Sequence, residues 1–249
     1  MKKKYGLIGH PLGHSFSRSF FNQKFETEHV DAEYVNFDLA DVKELKGVLH
    51  ENPTLSGLNV TLPYKTQVIS LLDEVDKDAK QIGAVNVIKF QKGLFGKIKL
   101  KGYNSDIIGF KDSIKPLLNE THKKALILGT GGASKAVYYG LQQLGIEPLY
   151  VSRTKKDSLI TYDEITPEIM AAYTVIVNAT PLGMTPNVDM TPDIPYSLLT
   201  SEHLLYDLLY NPDETLFMRK GKEQGATVKN GLEMLLLQAF ASWRIWNEK

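Results

Sequence analysis

The 249-residue chain has no cysteine. Disulfides, a thiolate nucleophile and cysteine-ligated zinc are therefore excluded together. It also lacks a charge excess: Lys plus Arg equals Asp plus Glu at 29 each, so no overall field draws it to nucleic acid or an anionic membrane. No apolar run reaches membrane-spanning length. The basic opening "MKKK" is followed by Gly, His and Pro instead of an apolar export core, so it is expected to be a solvated leader to a first strand and the protein to be cytoplasmic. No internal repeat or low-complexity linker interrupts the sequence. Six histidines remain as metal ligands, but Pro11 and Gly13 lie between His10 and His14, which removes the helix face such a pair would need. No metal is expected.

What the chain does have is 43% hydrophobic residues and a regular alternation of strand-like and helical patterns. "YGLIGH", "SRSFFNQKFETEH", "AEYVNFDL", "DVKELKGVLHEN", "GLNVTL" and "TQVISLLDEV" follow one another as βα units. "NVIKFQKGLFGKIKL" breaks that rhythm as a hairpin joined at Lys92 and Gly93. A second βα series starts at "KALILGTGGASKAVYYGLQQLG" and continues through "PLYVSR", "YTVIVNAT" and "LLYDLLY" to "ATVKNG". The final "LEMLLLQAFASWRIWNE" is apolar on too many sides for a helix lying on water, so it is expected to pack back on the first domain. These patterns predict two α/β domains: residues 1–106 plus 231–249 with a mostly parallel sheet, and residues 107–230 as a dinucleotide-binding Rossmann domain.

The strand, glycine turn and helix of "ALILGTGGAS" provide a close backbone approach and unpaired helix N–H groups for a pyrophosphate. Ser134 stands where the fingerprint has Gly or Ala. The next strand ends in "VSRTKK", where an NAD site would often place an acid. Ser152, Arg153 and Thr154, with Lys155 and Lys156 beside them, suit a 2′-phosphate instead, and Asp157 comes late to replace the acid. NADP is expected over NAD.

In "NVTLPYK", Val60 and Leu62 are expected to face a core and Asn59 and Thr61 the other way, until Pro63 ends the strand and holds Lys65 at a corner. Ser15 and Ser17 precede a helix in "GHPLGHSFS", as caps or as donors to a small anion. Asn86 opens a strand in "AVNV", and Asp106 stands before an apolar helix in "YNSD", where it reads as an N-cap.

Taken together, "HPLGHSFS", "GLNVTLPYK", "GAVNV", "YNSDIIGF", "GTGGAS", "NATPLGM", "YDLLYNP" and "NGLEMLLLQAF" resemble the shikimate dehydrogenases along almost the whole chain. The resemblance implies reversible, NADP-dependent reduction of 3-dehydroshikimate to shikimate, a step of chorismate and aromatic amino acid biosynthesis. It implies Lys65 and Asp106 as the catalytic pair, leaving open which carries the titrating proton. Ser15, Ser17, Thr61, Asn86, Tyr210 and Gln238 would surround the substrate, and Asn59 would shape its cleft. Gly129, Gly131, Gly132 and Ala133 would cradle the pyrophosphate, Ser152, Arg153 and Thr154 the 2′-phosphate, and Leu208 and Gly231 would lie near the nicotinamide. The partners implied are small molecules, with no nucleic acid or membrane, and the chain a monomer or homodimer. Arg18, His10 and Thr130 depart from the family's usual Pro, Asn and Ala. The competing readings are a quinate/shikimate dehydrogenase with relaxed cofactor use, a folate-type NADP dehydrogenase, and a non-catalytic NADPH or metabolite sensor.

Overall fold

The computed structural model describes residues 2–13, 15–92, 98–156 and 158–248. His14, Asp157 and Gly93, the last at the expected hairpin joint, lie outside them. The chain divides into two units, Met1–Ser105 with Ala239–Lys249, and Asp106–Gln238.

The first unit contains β1 (Lys3–Gly9), α1 (Phe16–Thr27), β2 (Ala32–Asp38), α2 (Leu45–Glu51), β3 (Leu55–Val60), β4 (Glu74–Val75), α3 (Lys77–Ile82), β5 (Val87–Lys92) and β6 (Ile98–Tyr103). Its sheet runs β2-β1-β3-β5-β6-β4. β1 is parallel to β2 and β3, β5 is antiparallel to β3 and β6, and β4 is parallel to β6. Reversing β5 places its start, and the end of β6, at the same edge as the carboxyl ends of β1 and β3. Loops that are distant in sequence therefore meet at one end of this sheet.

Four expectations change here. Lys3 and Lys4 belong to β1 instead of leading into it, and the Lys4 ammonium donates to Asn52 Oδ1 at 2.8 Å. β3 stops at Val60, and Leu62 is 68% exposed instead of facing the core. The strand lies inside the sheet with both faces covered, so Leu58, Asn59 and Val60 are all buried and the alternation carries no exposed face. "TQVISLLDEV" is no α-helix: a 3₁₀ turn at Gln67–Leu71 gives way to β4, because Asp73 binds the Leu100 backbone on β6 with both its N–H and its carboxylate. The second junction lies within the last helix instead of at 231.

The second unit is uniformly parallel. It contains α4 (Asp106–Ile114), β7 (Lys124–Leu128), α5 (Gly132–Gln143), β8 (Glu147–Ser152), β9 (Ile160–Thr161), α6 (Pro167–Ala172), β10 (Val175–Asn178), β11 (Leu204–Asp207), α7 (Leu216–Glu223), β12 (Thr227–Lys229) and the start of α8 (Leu232–Asn247). The sheet order is β12-β11-β10-β7-β8-β9 with every pair parallel, a doubly wound sheet whose direction of winding reverses between β7 and β10. Leu126, Leu128, Ile176 and Leu205 pack on one face, Ile127, Val177 and Tyr206 on the other.

α8 explains where the units divide. Its first turns belong to the second unit, where Met234 joins the cluster around Phe110 and Ile114 and a side chain at Gly109 would collide with the Met234 carbonyl. From Ala239 onward it serves the first. Trp246 packs with Tyr5 and Phe21, its indole N–H donates to the Ile88 carbonyl at 3.1 Å, and a methyl on Gly57 would overlap the ring.

Candidate active site

In the first unit, the groups of interest sit on loops leaving β1 and β3 and at the start of β5. Thr61 N–H donates to Ile8 O at 2.9 Å and His10 N–H to Leu62 O at 3.1 Å, which stitches the serine loop to the "TLPYK" loop. Gly9 permits this approach: a methyl there would lie 2.8 Å from Leu12 and would also press on Thr61. Tyr64 is buried with its hydroxyl on Leu39 O, and the Lys65 carbonyl accepts from Val85 N–H at 2.7 Å. The backbone of the half-buried Lys65 is thereby fixed beside the segment that leads through Asn86 into β5.

Asn86 is 3% exposed and is no ordinary turn residue. Its Oδ1 accepts the Ser105 N–H at 2.6 Å and its amide donates to Ser105 Oγ at 3.0 Å. Asn59, also buried, accepts from the Tyr34 hydroxyl at 2.8 Å and donates to Ser242 Oγ at 3.0 Å and to the Asn86 carbonyl at 3.2 Å. Burial pushes the Tyr34 phenol well above its usual range, opposed by a hydrogen bond with Ser17. Tyr34 is therefore a neutral donor at physiological pH. Ser15 takes the plainer of its two expected roles as the N-cap of α1, accepting the Arg18 N–H at 3.2 Å. His10 Nδ1 pairs with Asp38 Oδ1 at 2.7 Å, and Asp38, which also accepts the Leu12 N–H, is held below its ordinary range chiefly by that backbone bond.

In the second unit, Asp106 is the first residue of α4, directly after Ser105. The glycine loop follows β7. Gly129 has φ +98°, a backbone that favours glycine, and Gly131 is the N-cap of α5. At Gly131 and Gly132 an added Cβ would meet only open space, so the start of α5 is unobstructed. Ser134, in the third glycine position, is 1% exposed and turns its hydroxyl onto Gly131 O at 2.6 Å, which braces the turn from inside. A cavity of about 670 Å³ opens beside this loop, lined by Gly129, Thr130, Ser152, Arg153, Thr180 and Tyr162 among others. The donor set fits a dinucleotide phosphate: open glycine N–H groups at a helix start, with one guanidinium on the cavity wall.

The basic cluster is narrower than expected. Lys155 is held by Glu164 at 2.5 and 2.7 Å, and that contact, with Thr161, lowers the Glu164 carboxyl to about 2. Thr154 is exposed, and its N–H donates to Ser152 Oγ at 3.3 Å. Gly231 is buried against the Leu208 carbonyl, which a methyl would overlap, and its N–H donates to Leu209 O at 2.8 Å. Tyr210 is 43% exposed, so it is not a core tyrosine. Gln238 donates to Leu235 O at 2.9 Å, the backbone-satisfying role that is its plainer reading.

Sequence reasoning missed the group that ties these loops together. Asp207 is fully buried and accepts from Thr215 Oγ1 at 2.6 Å, Leu209 N–H at 3.0 Å and Asn178 Nδ2 at 3.1 Å. Burial raises its carboxyl to about 6 against these three bonds. Asn178 in turn accepts from Thr180 N–H and Oγ1, so the loop after β10 and the loop after β11 share one buried carboxylate. Thr180 was findable, because the carboxyl ends of strands flanking the point of reversal are where such sheets bind ligands.

The comparisons with known proteins cover the same ground. A family model described as "Shikimate dehydrogenase substrate binding domain" matches residues 7–88. The chain is 38% identical over 263 residues to "Shikimate dehydrogenase (NADP(+))" of Methanosphaera stadtmanae, covering 98% of this chain and 91% of that protein. The chain belongs to the shikimate dehydrogenase family. Among solved structures, it is similar to shikimate dehydrogenase from Aquifex aeolicus, with TM-score 0.85, 36% identity, and coverage of 100% and 93% of the two chains. It is also similar to the enzyme from Thermus thermophilus solved with NADP(H) and shikimate, with TM-score 0.84, 30% identity, and coverage of 99% and 94%.

Proposed function

We propose that this chain is an NADP-dependent shikimate dehydrogenase that interconverts 3-dehydroshikimate and shikimate in aromatic amino acid biosynthesis. The observation that carries this reading is the 38% identity over 98% of the chain to a protein named for that activity and that cofactor. The paired glycine cradle and Arg153 on the cavity wall support the cofactor half.

NADP, when bound, exchanges a hydride with the reacting carbon. Gly131, Gly132 and Ala133 would hold its pyrophosphate with backbone N–H groups at the start of α5, Gly129 would supply the turn that brings them there, its own N–H being donated to Val151 O, and Ser152, Arg153 and Thr154 would hold the 2′-phosphate. Leu208 and Gly231 leave room for the nicotinamide, because a side chain at 231 would displace the Leu208 carbonyl.

During ketone reduction, negative charge grows on the carbonyl oxygen. Lys65 donates a proton there and withdraws it in the reverse direction. Asp106 accepts from a neighbouring ring hydroxyl and orients the ring for that transfer. Ser15, Ser17 and Tyr210 hold the substrate carboxylate with neutral donors, and Thr61, Asn86 and Gln238 read the ring hydroxyls. A substrate lacking one of those hydroxyls would leave a buried partner unmatched, which is the basis of selectivity. The deciding experiment is a spectrophotometric assay of nicotinamide reduction by purified protein with shikimate and NADP. Turnover supports the reading, and binding of both ligands without turnover would make the chain a sensor instead.

A further inference from the structure

Within the first unit, one chain of buried hydrogen bonds ends on Asn86, which the proposed function places on a ring hydroxyl of the substrate. It runs from the Tyr34 hydroxyl to Asn59 Oδ1, from Asn59 Nδ2 to Ser242 Oγ, and from Ser242 Oγ to Ser105 Oγ at 3.1 Å, ending on the Asn86 carboxamide. Tyr34, Asn59, Ser105, Ser242 and Asn86 are all buried. The carboxyl-terminal helix supplies Ser242 as its link, fully buried and one turn beyond Gln238 on α8.

The directions of these bonds are constrained. Asn59 Oδ1 is occupied by the Tyr34 hydroxyl, so its Nδ2 must face Ser242. Ser242 Oγ accepts that proton and lies 3.1 Å from Ser105 Oγ, a bond in which either hydroxyl can donate. Ser105 N–H at 2.6 Å on Asn86 Oδ1 then holds the Asn86 carboxamide in one flip state, with its amide nitrogen donating to Ser105 Oγ at 3.0 Å. A hydroxyl at 242 therefore joins the Tyr34–Asn59 and Ser105–Asn86 pairs, which lie on β2, β3, the β6–α4 junction and the start of β5.

We infer that Ser242 is a positioning residue for substrate recognition: through Asn59 and Ser105 it sets the orientation of Asn86, and so the selectivity of the site for a ring hydroxyl. This rests on the proposed function, in which Asn86 reads that hydroxyl. Ser242 does not itself touch substrate in this account. Its loss leaves Asn59 with an unmatched buried amide proton and takes one partner from the Ser105 hydroxyl that Asn86 Nδ2 meets, so the penalty falls on ring recognition and spares cofactor binding and the chemical step.

The test compares full-length wild type, Ser242→Ala and Tyr34→Phe in steady-state assays with shikimate and with analogues each lacking one non-reacting ring hydroxyl. For Ser242→Ala we expect the shikimate KM to rise about tenfold, the worth of one buried hydrogen bond, with kcat changed by less than about threefold and the NADP KM unaltered. For one analogue, wild type and Ser242→Ala should converge, since the hydroxyl that Asn86 reads is already gone. A shikimate KM within about twofold of wild type, or an equal loss with shikimate and every analogue, would overturn the inference. If Ser242→Ala does not fold, Tyr34→Phe breaks the same chain two links away and must show the same KM-only effect, or the inference fails. Wild type that never oxidises shikimate would overturn the functional reading and this inference with it, whereas an active wild type beside an indifferent Ser242→Ala defeats the inference alone.

Discussion

At the ligand end of the first unit's sheet the exposed and half-buried groups are side chains, among them Ser17, Thr61 and Lys65, backed by buried carboxamides and hydroxyls. At the corresponding end of the second unit's sheet backbone predominates: Gly129, Gly131 and Gly132 in the turn and helix start after β7, the Leu208 carbonyl directly after β11. The sheets differ in the same way. One reverses a single strand, β5, and gathers loops from distant sequence, while the other is parallel throughout and places its loop by a single strand-turn-helix. A small hydroxylated ring needs several directional partners of matched polarity, whereas a pyrophosphate needs a row of N–H groups and nothing in the way. Under the proposed function, the difference between the units matches the difference between those ligands.

The sharpest way to break that division is at Lys65. If chemistry belongs to the first half, Lys65→Ala should lower turnover by about 10²–10⁴-fold with the KM values for shikimate and NADP little changed. Activity within a few-fold of wild type would remove the acid–base assignment. The second unit's counterpart is Arg153→Ala, which should raise the NADP KM about 10–100-fold while leaving the NAD KM alone, because only the 2′-phosphate loses a charged partner. Lys155→Ala should have a much smaller effect on the NADP KM, since its ammonium is already held by Glu164. Equal effects from the two substitutions would show that the phosphate is bound by a diffuse basic turn.

Asp207 tests the second unit's internal frame by pH. Its carboxyl is raised from 3.8 to about 6, so the folded state keeps its proton longer than the unfolded chain does. That contribution to stability is complete below the ordinary carboxylate value and is lost as pH rises through 6. Denaturant unfolding of wild type should therefore lose about 2 kcal/mol between pH 4 and pH 7 from this group, and Asp207→Asn should flatten that part of the curve. An unchanged slope in the variant would mean that another group dominates. The smallest effect is expected at Ser134, where Ser134→Ala should cost about 1 kcal/mol and leave the NADP KM within about twofold, since the hydroxyl braces Gly131 O and meets no ligand.

The same contrast governs what could be read from sequence. The glycine loop, the strand before it and the helix after it are contiguous, so "ALILGTGGAS" carried its own context and the fold placed Gly131 as the cap of α5. "NVTLPYK" misled at Leu62, because alternation assumes one exposed face and β3 has none. The helix expected in "TQVISLLDEV" gave way to pairing at the sheet edge, a tertiary effect that local period cannot report. The Tyr34–Asn59–Ser242–Ser105–Asn86 chain was illegible for a related reason. Asn59 and Ser242 alone lie 183 positions apart, and each member by itself is an unremarkable polar residue in an apolar segment. Asp207, inside "LLYDLLY", looked like part of a strand, and only burial with three donors marks it as structural.

The central claim is that the chain pairs a site for a shikimate ring, drawn mainly from the first unit, with a cradle for NADP in the second. It is tested most directly by initial rates of nicotinamide reduction by the wild-type protein with shikimate or quinate, each offered NADP or NAD. The account predicts the highest kcat/KM for shikimate with NADP, falling when either component is exchanged. Equal or greater efficiency with quinate, or with NAD, would contradict it.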